Sequence, residues 1–131
     1  MKRICARGLI VTDDGLSVIF RRKITDGVKK EYYSIPGGGI EENESCIEGL
    51  KRELREELNI EVNVLDLAFT KETDDRIEYF FNCEYISGDF SLNGEELDRM
   101  SESNYYQPKF LKLDELNNVD ILDEVKAYFN K

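Results

Sequence analysis

Three consecutive glycines, Gly37 to Gly39, stand between Pro36 and a strongly patterned helical segment, and this junction restricts the fold more than any other part of the chain. Glycine admits positive φ and lets backbone amides come close to another backbone or to an anion. On its own the triplet reads as a flexible turn. The residues that follow change that reading. Ser45 and Glu48 make a capping-box pair, which predicts a helix beginning at Cys46 with its first amides tied to the Ser45 hydroxyl. Ile47, Leu50, Leu54 and Leu58 recur at helical steps and define a buried stripe. At about 100° per residue, Glu53, Glu56 and Glu57 fall on a different arc that flanks the stripe instead of opposing it. Cys46 and Gly49 project onto the same arc, so small side chains stand where the preceding turn would otherwise crowd the carboxylates.

A helix built for solvent mixes signs on such a face, because like charges three or four residues apart repel by about 0.2–0.5 kcal/mol. Glu53 meets both Glu56 and Glu57 at those spacings. Arg52 and Arg55 lie nearby, and a simply solvated acidic face is the plainer alternative. Two or three carboxylates within reach of one point also form an all-oxygen site suited to Mg²⁺ or Mn²⁺, with waters and phosphate oxygens completing the octahedron.

The rest of the chain reads as strands around two helices. Ile4 to Val11 and Leu16 to Ile24 favour β structure and are joined by the turn-forming Thr12-Asp13-Asp14-Gly15. Glu31 to Ile35 gives a short extended piece before Pro36. Ile60 to Thr70 and Arg76 to Ile86 alternate apolar and polar residues, the second run carrying Ile77, Tyr79, Phe81, Cys83 and Tyr85 on one face, and the second of these strands is expected to be central. Ser87 to Gln107 is acidic and glycine-broken, a long loop with a helical turn expected around Glu95 to Met100. Lys109 to Leu113 supplies a last strand, and Leu122, Val125 and Phe129 recur at helical spacing within Val119 to Phe129. This is an α+β order, compatible with a mixed sheet flanked by helices. With no linker or repeat in view, residues 1–131 are expected to be a single domain.

Composition excludes several chemistries. The chain has no histidine, so histidine nucleophile activation and histidine metal ligation are absent. Eighteen basic against 28 acidic side chains give a net charge of −10, which opposes long nucleic acid. Nothing approaches the roughly 18 apolar residues of a membrane span. Cys5, Cys46 and Cys83 have no paired spacing, which fits reduced thiols and a cytoplasmic location.

From Gly38 through Glu44 to Arg52-Glu53-Leu54-Arg55-Glu56-Glu57-Leu58-Asn59-Ile60, the spacing resembles the signature of the Nudix hydrolase family (MutT-like) at every specified position except Asn59, where the family has glycine. Asparagine is the next most tolerant residue for a left-handed helix end. Gly49-Leu50 stands where the family often has small alanines. Tyr33-Ser34-Ile35-Pro36-Gly37-Gly38 and the segment from Asn104 to Leu116 are also similar to members of this family.

The resemblance implies an α/β/α sandwich and hydrolysis of a nucleoside diphosphate linked to another group, with divalent cations. It implies Glu53, Glu56 and Glu57 as metal ligands with Gly37 in the metal set, Arg52 as the residue orienting a motif glutamate, and Gly38 as the residue letting the loop fold against the helix. A further glutamate from outside the motif is common in the family. Glu96 is the preferred candidate here over Glu95 and Glu102, the alternative being that all three are solvent-facing. Arg21 and Arg22 are candidates to grip phosphates, or are plain exposed strand arginines. Tyr33, Phe80 and Tyr105 are candidates to stack on a base, with Phe80 read foremost as core. The expected partner is a small nucleotide, and members are often homodimers. A nucleotide sensor without turnover is the alternative function, and an acidic protein-interaction domain a weaker one.

Overall fold

The computed structural model describes residues 2–92 and 100–130. Its first half is a chain of hairpins: β1 (Arg3–Thr12), β2 (Gly15–Thr25) and β3 (Val28–Ser34), followed by the short β4 (Gly37–Gly39). The helix α1 (Cys46–Leu58) comes next, then β5 (Ile60–Glu72), β6 (Arg76–Gly88), β7 (Asn104–Leu111), a 3₁₀ turn at Leu113–Asn118 and α2 (Asp123–Phe129). The seven strands among the described residues form one mixed sheet in the order β3-β2-β1-β6-β5, with β4 added to β1 and β7 to β2.

The sheet splays because β1 and β2 pair only next to their turn, at Val11↔Leu16 and Thr12↔Gly15. Beyond that point β1 takes β4 on one edge and runs parallel to β6 on the other, from Arg3↔Arg76 to Ile10↔Cys83. β2 meanwhile pairs with β3 and β7. Alternation along β1 then supplies two cores, since successive side chains point to opposite faces. Ala6 and Ile10 join Leu50, Leu54, Leu58, Ile60 and Val62 under α1, whereas Leu9 joins Leu16, Val18, Phe80, Leu116, Ile121 and Val125 under the C-terminal segment. Helical layers therefore cover both faces, the α/β/α arrangement expected from the sequence.

The helix forms as its sequence requires. Ser45 Oγ accepts from the Glu48 amide at 3.1 Å and the Glu48 carboxylate accepts from the Ser45 amide at 3.1 Å. Asn59 ends the helix in the left-handed region at φ 57° and ψ 44°, with its amide bonded to the Arg55 and Leu54 carbonyls. One member of the expected stripe fails: Ile47 is 44% exposed. Gly49 is buried in its place, because a Cβ there would lie 2.5 Å from Ile40 Cδ1 and 2.8 Å from Glu44 Oε1. The first helical turn is covered by the incoming chain, not by the sheet.

Three further expectations are corrected. The glycine triplet is not a free turn but a strand paired to β1 through Cys5↔Gly39, Ala6↔Gly38 and Arg7↔Gly37. The last strand begins at Asn104, not Lys109, since residues 104–108 already pair with β2, from Lys23↔Asn104 to Ile19↔Pro108, with Tyr106 buried. The last helix begins at Asp123, not Val119. The Asp120 carbonyl accepts from the Tyr33 amide at 2.8 Å and Leu122, at φ −50° and ψ 129°, is not helical, so the segment before the helix is tied to β3 with Ile121 buried. The helical turn expected around Glu95 lies outside the described residues.

Candidate active site

The site is built where β4 crosses the acidic face of α1. Gly37 takes φ 141°, and a Cβ there would lie 2.1 Å from the Ala6 carbonyl oxygen, so only glycine lets β4 seat on β1. Its amide donates to Glu57 Oε1 at 3.1 Å. A Cβ on Gly38 would lie 2.5 Å from Glu53 Oε2, which means the Glu53 carboxylate rests directly on the glycine backbone. These two contacts join helix and strand.

Arg52 organises the acids on the other side. Its guanidinium donates to both Glu44 oxygens, at 2.7 and 3.1 Å, to Glu53 Oε1 and Glu56 Oε2 at 3.1 Å each, and to the Gly39 carbonyl at 3.1 Å. Of the like charges that the sequence places on one arc, Glu53 and Glu56 are thus balanced by one cation, while Glu57 is held by the Gly37 amide and faces Arg21. Arg52 hydrogen bonding, helped by the Glu41 amide, holds Glu44 below the usual glutamate range. Burial pushes Glu53 up, against the opposing pull of Arg52. Hydrogen bonding to Glu44 raises the pKa of Arg52 in turn, so the guanidinium stays charged.

A cleft of about 560 Å³ opens next to Arg21; none of the motif glutamates lines it, and Glu57 is joined to it through that arginine. Arg21 links the two: it lines the cleft, lies 3.8 Å from Glu57 Oε2 and donates from Nε to Ser34 Oγ at 2.8 Å. Arg7, Lys23, Lys30, Lys71 and Arg76 also line it, facing Glu78, Asp120, Asp123 and Glu124. Six cations against four acids make this cleft basic on a chain of net charge −10, which suits an anionic ligand.

The structure brings Glu53, Glu56, Glu57, Arg52, Gly37 and Gly38 together, with Arg21 and Tyr33 at the cleft. Arg22 is not brought there. It sits within β2, not after it, and alternation turns it to the other face, 4.8 Å from the Tyr105 ring centroid. Phe80 is core, buried and stacked on Phe69 at 4.5 Å, although it also lines the cleft. Glu95 and Glu96 lie outside the described residues, and Glu102 is exposed. Among the described residues no three acids or cysteines stand ready as a metal cage. Glu53 and Glu56 turn toward Arg52, and Glu57 toward the Gly37 amide.

Sequence reasoning missed Arg7, Glu78 and the part played by Glu44. Arg7 had a signal, a charge interrupting an apolar strand. Its partner had none, lying 71 residues away.

Comparison with known proteins decides the family. The model of the NUDIX domain matches residues 1–129. The chain belongs to the Nudix hydrolase family. Nudix relatives include the nucleoside triphosphatase NudI of Salmonella paratyphi B, 26% identical over 123 residues, covering 82% of this chain and 84% of that protein. The 8-oxo-dGDP phosphatase NUDT18 of Danio rerio is 30% identical over 101 residues, covering 71% of this chain but only 31% of that protein. Among solved structures, the MutT Nudix hydrolase of Burkholderia pseudomallei aligns over 99% of this chain and 97% of its own, with TM-score 0.73 at 17% identity. An ADP-ribose pyrophosphatase of Streptococcus suis aligns over 98% and 90%, with TM-score 0.65 at 20% identity. These two likenesses concern the fold. Among the described residues no helix is long and apolar enough to cross a membrane.

Proposed function

We propose that this Nudix chain hydrolyses a phosphoric anhydride bond in a nucleoside triphosphate or nucleoside diphosphate derivative, with Mg²⁺ or Mn²⁺ as cofactor. The observation that carries the reading is the joint between β4 and α1, with the Glu57 carboxylate on the Gly37 amide and Arg21 joining it to the basic cleft. The donor set fits a hard cation: Glu53, Glu56 and Glu57 offer only oxygen, and the absence of a side chain at Gly38 lets the Glu53 carboxylate come against β4. These three glutamates would hold the ion, with the Gly37 carbonyl next to them. When bound, the ion would polarise the phosphoryl oxygens and acidify a water for attack on phosphorus.

The chain's own residues do the rest. Arg21 and the cleft lysines offset the charge of the phosphates, which an acidic protein would otherwise repel. Arg21 also holds Glu57 from the cleft side, and Arg52 holds Glu53 and Glu56 from the other. The wall carrying Tyr33 offers an aromatic surface to a base. A reducing cytosol, where Cys5, Cys46 and Cys83 stay thiols, is the compartment this reading assumes.

The test is phosphate or pyrophosphate release with Mg²⁺ over a panel of nucleoside triphosphates, nucleoside diphosphate sugars and dinucleoside polyphosphates. At least one is turned over, and Glu57→Gln loses more than about 100-fold in kcat, a ligand mattering at least as much as its supporting shell. Full activity in Glu57→Gln, or no turnover of any compound, sinks the proposal. Nucleotide bound tightly yet intact by phosphorus NMR favours the sensor instead.

A further inference from the structure

Arg7 lies outside the family motif, yet it touches the glycine strand on which the motif glutamates rest. It stands in the middle of β1, its side chain 18% exposed, and its Nε donates to Glu78 Oε2 of β6 at 2.9 Å. From there Nη1 reaches back to the glycine segment, 3.1 Å from the Gly37 carbonyl oxygen and 3.4 Å from that of Ile35. The carbonyl between them, Pro36, accepts from the Gly8 amide at 2.9 Å. Three successive carbonyls are thus held by two adjacent residues of β1.

The consequence falls on Gly37. The peptide joining Pro36 to Gly37 is gripped at both poles, its carbonyl by Gly8 and its N–H by Glu57. The next peptide is gripped at its carbonyl by Arg7. A glycine at φ 141° has no side chain to fix it, so its orientation is set by these partners. Glu78 has a second effect. A guanidinium this close to the motif glutamates would repel a divalent ion, and the carboxylate of Glu78, 13% exposed, neutralises it.

We infer that Arg7 and Glu78 are a positioning pair: Arg7, held by Glu78, fixes the peptides on either side of the Pro36–Gly37 unit, and so sets the Gly37 N–H that aims Glu57 at the cation. The inference rests on the metal-dependent reading above but names residues outside the family motif. It is tested on Arg7→Met, Arg7→Lys and Glu78→Gln with readouts that need no turnover: hydrogen exchange of the Gly37 amide without metal, and Mn²⁺ binding by electron paramagnetic resonance.

In Arg7→Met the Gly37 amide exchanges faster, Mn²⁺ binds about tenfold more weakly, and kcat falls about tenfold with KM within about twofold of the parent. Glu78→Gln changes all three in the same direction, and Arg7→Lys restores them in part, a point charge reaching one carbonyl where the fork reaches two. Unchanged Gly37 exchange and Mn²⁺ binding in Arg7→Met or Glu78→Gln overturn the proposal, as does a rise in KM alone, which would make Arg7 a phosphate contact. If Arg7→Met does not fold, Glu78→Gln decides on the same criteria. A protein inert toward every nucleotide, with the Gly37 response present, would sink the functional reading and leave the positioning role standing. If the parent binds no Mn²⁺, the exchange measurement decides.

Discussion

The glycine strand is held at its two ends by two arginines that work in different ways. At Gly39, Arg52 reaches the carbonyl while donating to Glu44, Glu53 and Glu56, a cation surrounded by acids at the rim of the helix. At Gly37, Arg7 reaches the carbonyl with a single carboxylate behind it, and the backbone is pressed onto β1. One end is held by charge, and the other by fit. The lesson is that the acids on α1 need a cation for solvent-side balance, whereas aiming a carboxylate needs a backbone that cannot rotate.

The largest effect expected from this contrast is on stability. Gly37→Ala forces a Cβ to 2.1 Å from the Ala6 carbonyl oxygen at a positive φ and should cost about 3 kcal/mol or more. In Gly39→Ala the nearest atoms belong to the Arg3 guanidinium, at 2.6 Å, and since that exposed side chain can swing away the variant should stay within about 1 kcal/mol of the parent. Urea melts of the two variants measure the difference, and equal costs would break the comparison.

Arg52→Met comes next. Its partner Glu56 is 61% exposed and adds little, so the loss rests on Glu44, Glu53 and Gly39 and should be about 1–2 kcal/mol. Because this end is held by charge, the deficit should shrink in about 1 M NaCl. A deficit independent of salt would mean that Arg52, like Arg7, acts by fit.

Gly38→Ala separates function from folding. The new Cβ would displace the Glu53 carboxylate, a side-chain end and not a backbone, so Mn²⁺ affinity should fall about tenfold with only a small change in melting temperature.

The smallest effect is a titration order. Glu53 is raised by burial, so its contribution to stability is present on the acid side and is lost as pH rises through its folded pKa. Glu44 is lowered by Arg52, so its contribution is present above the ordinary glutamate pKa and is lost as pH falls through its folded value. Carbon NMR should find Glu53 titrating above Glu44, with both moving up in Arg52→Met. A reversed order would contradict the assigned causes.

Local patterns made much of this site legible. Ser45 and Glu48 announced the helix start, Asn59 its left-handed end, and the spacing from Gly38 to Glu57 the meeting of strand and acids. Ile47 misled because a helical stripe says which side is apolar, not how far the packing layer extends. Arg22 misled because it is adjacent to Arg21 in sequence and opposite to it in a strand. Arg7 and Glu78 were out of reach for a different reason: the parallel pairing of β1 with β6 leaves no turn between the strands from which register could be read.

That same pairing bears on how the protein is made. β1 leaves the ribosome before β6, and its long edge is closed only when residues as far as Cys83 arrive to lie alongside it. Until then β4 has an incomplete sheet to dock on, and an open strand edge is exposed to other chains. The device that aims Glu57 therefore becomes rigid only once β6 has been made, well after Arg7 and Gly37 themselves.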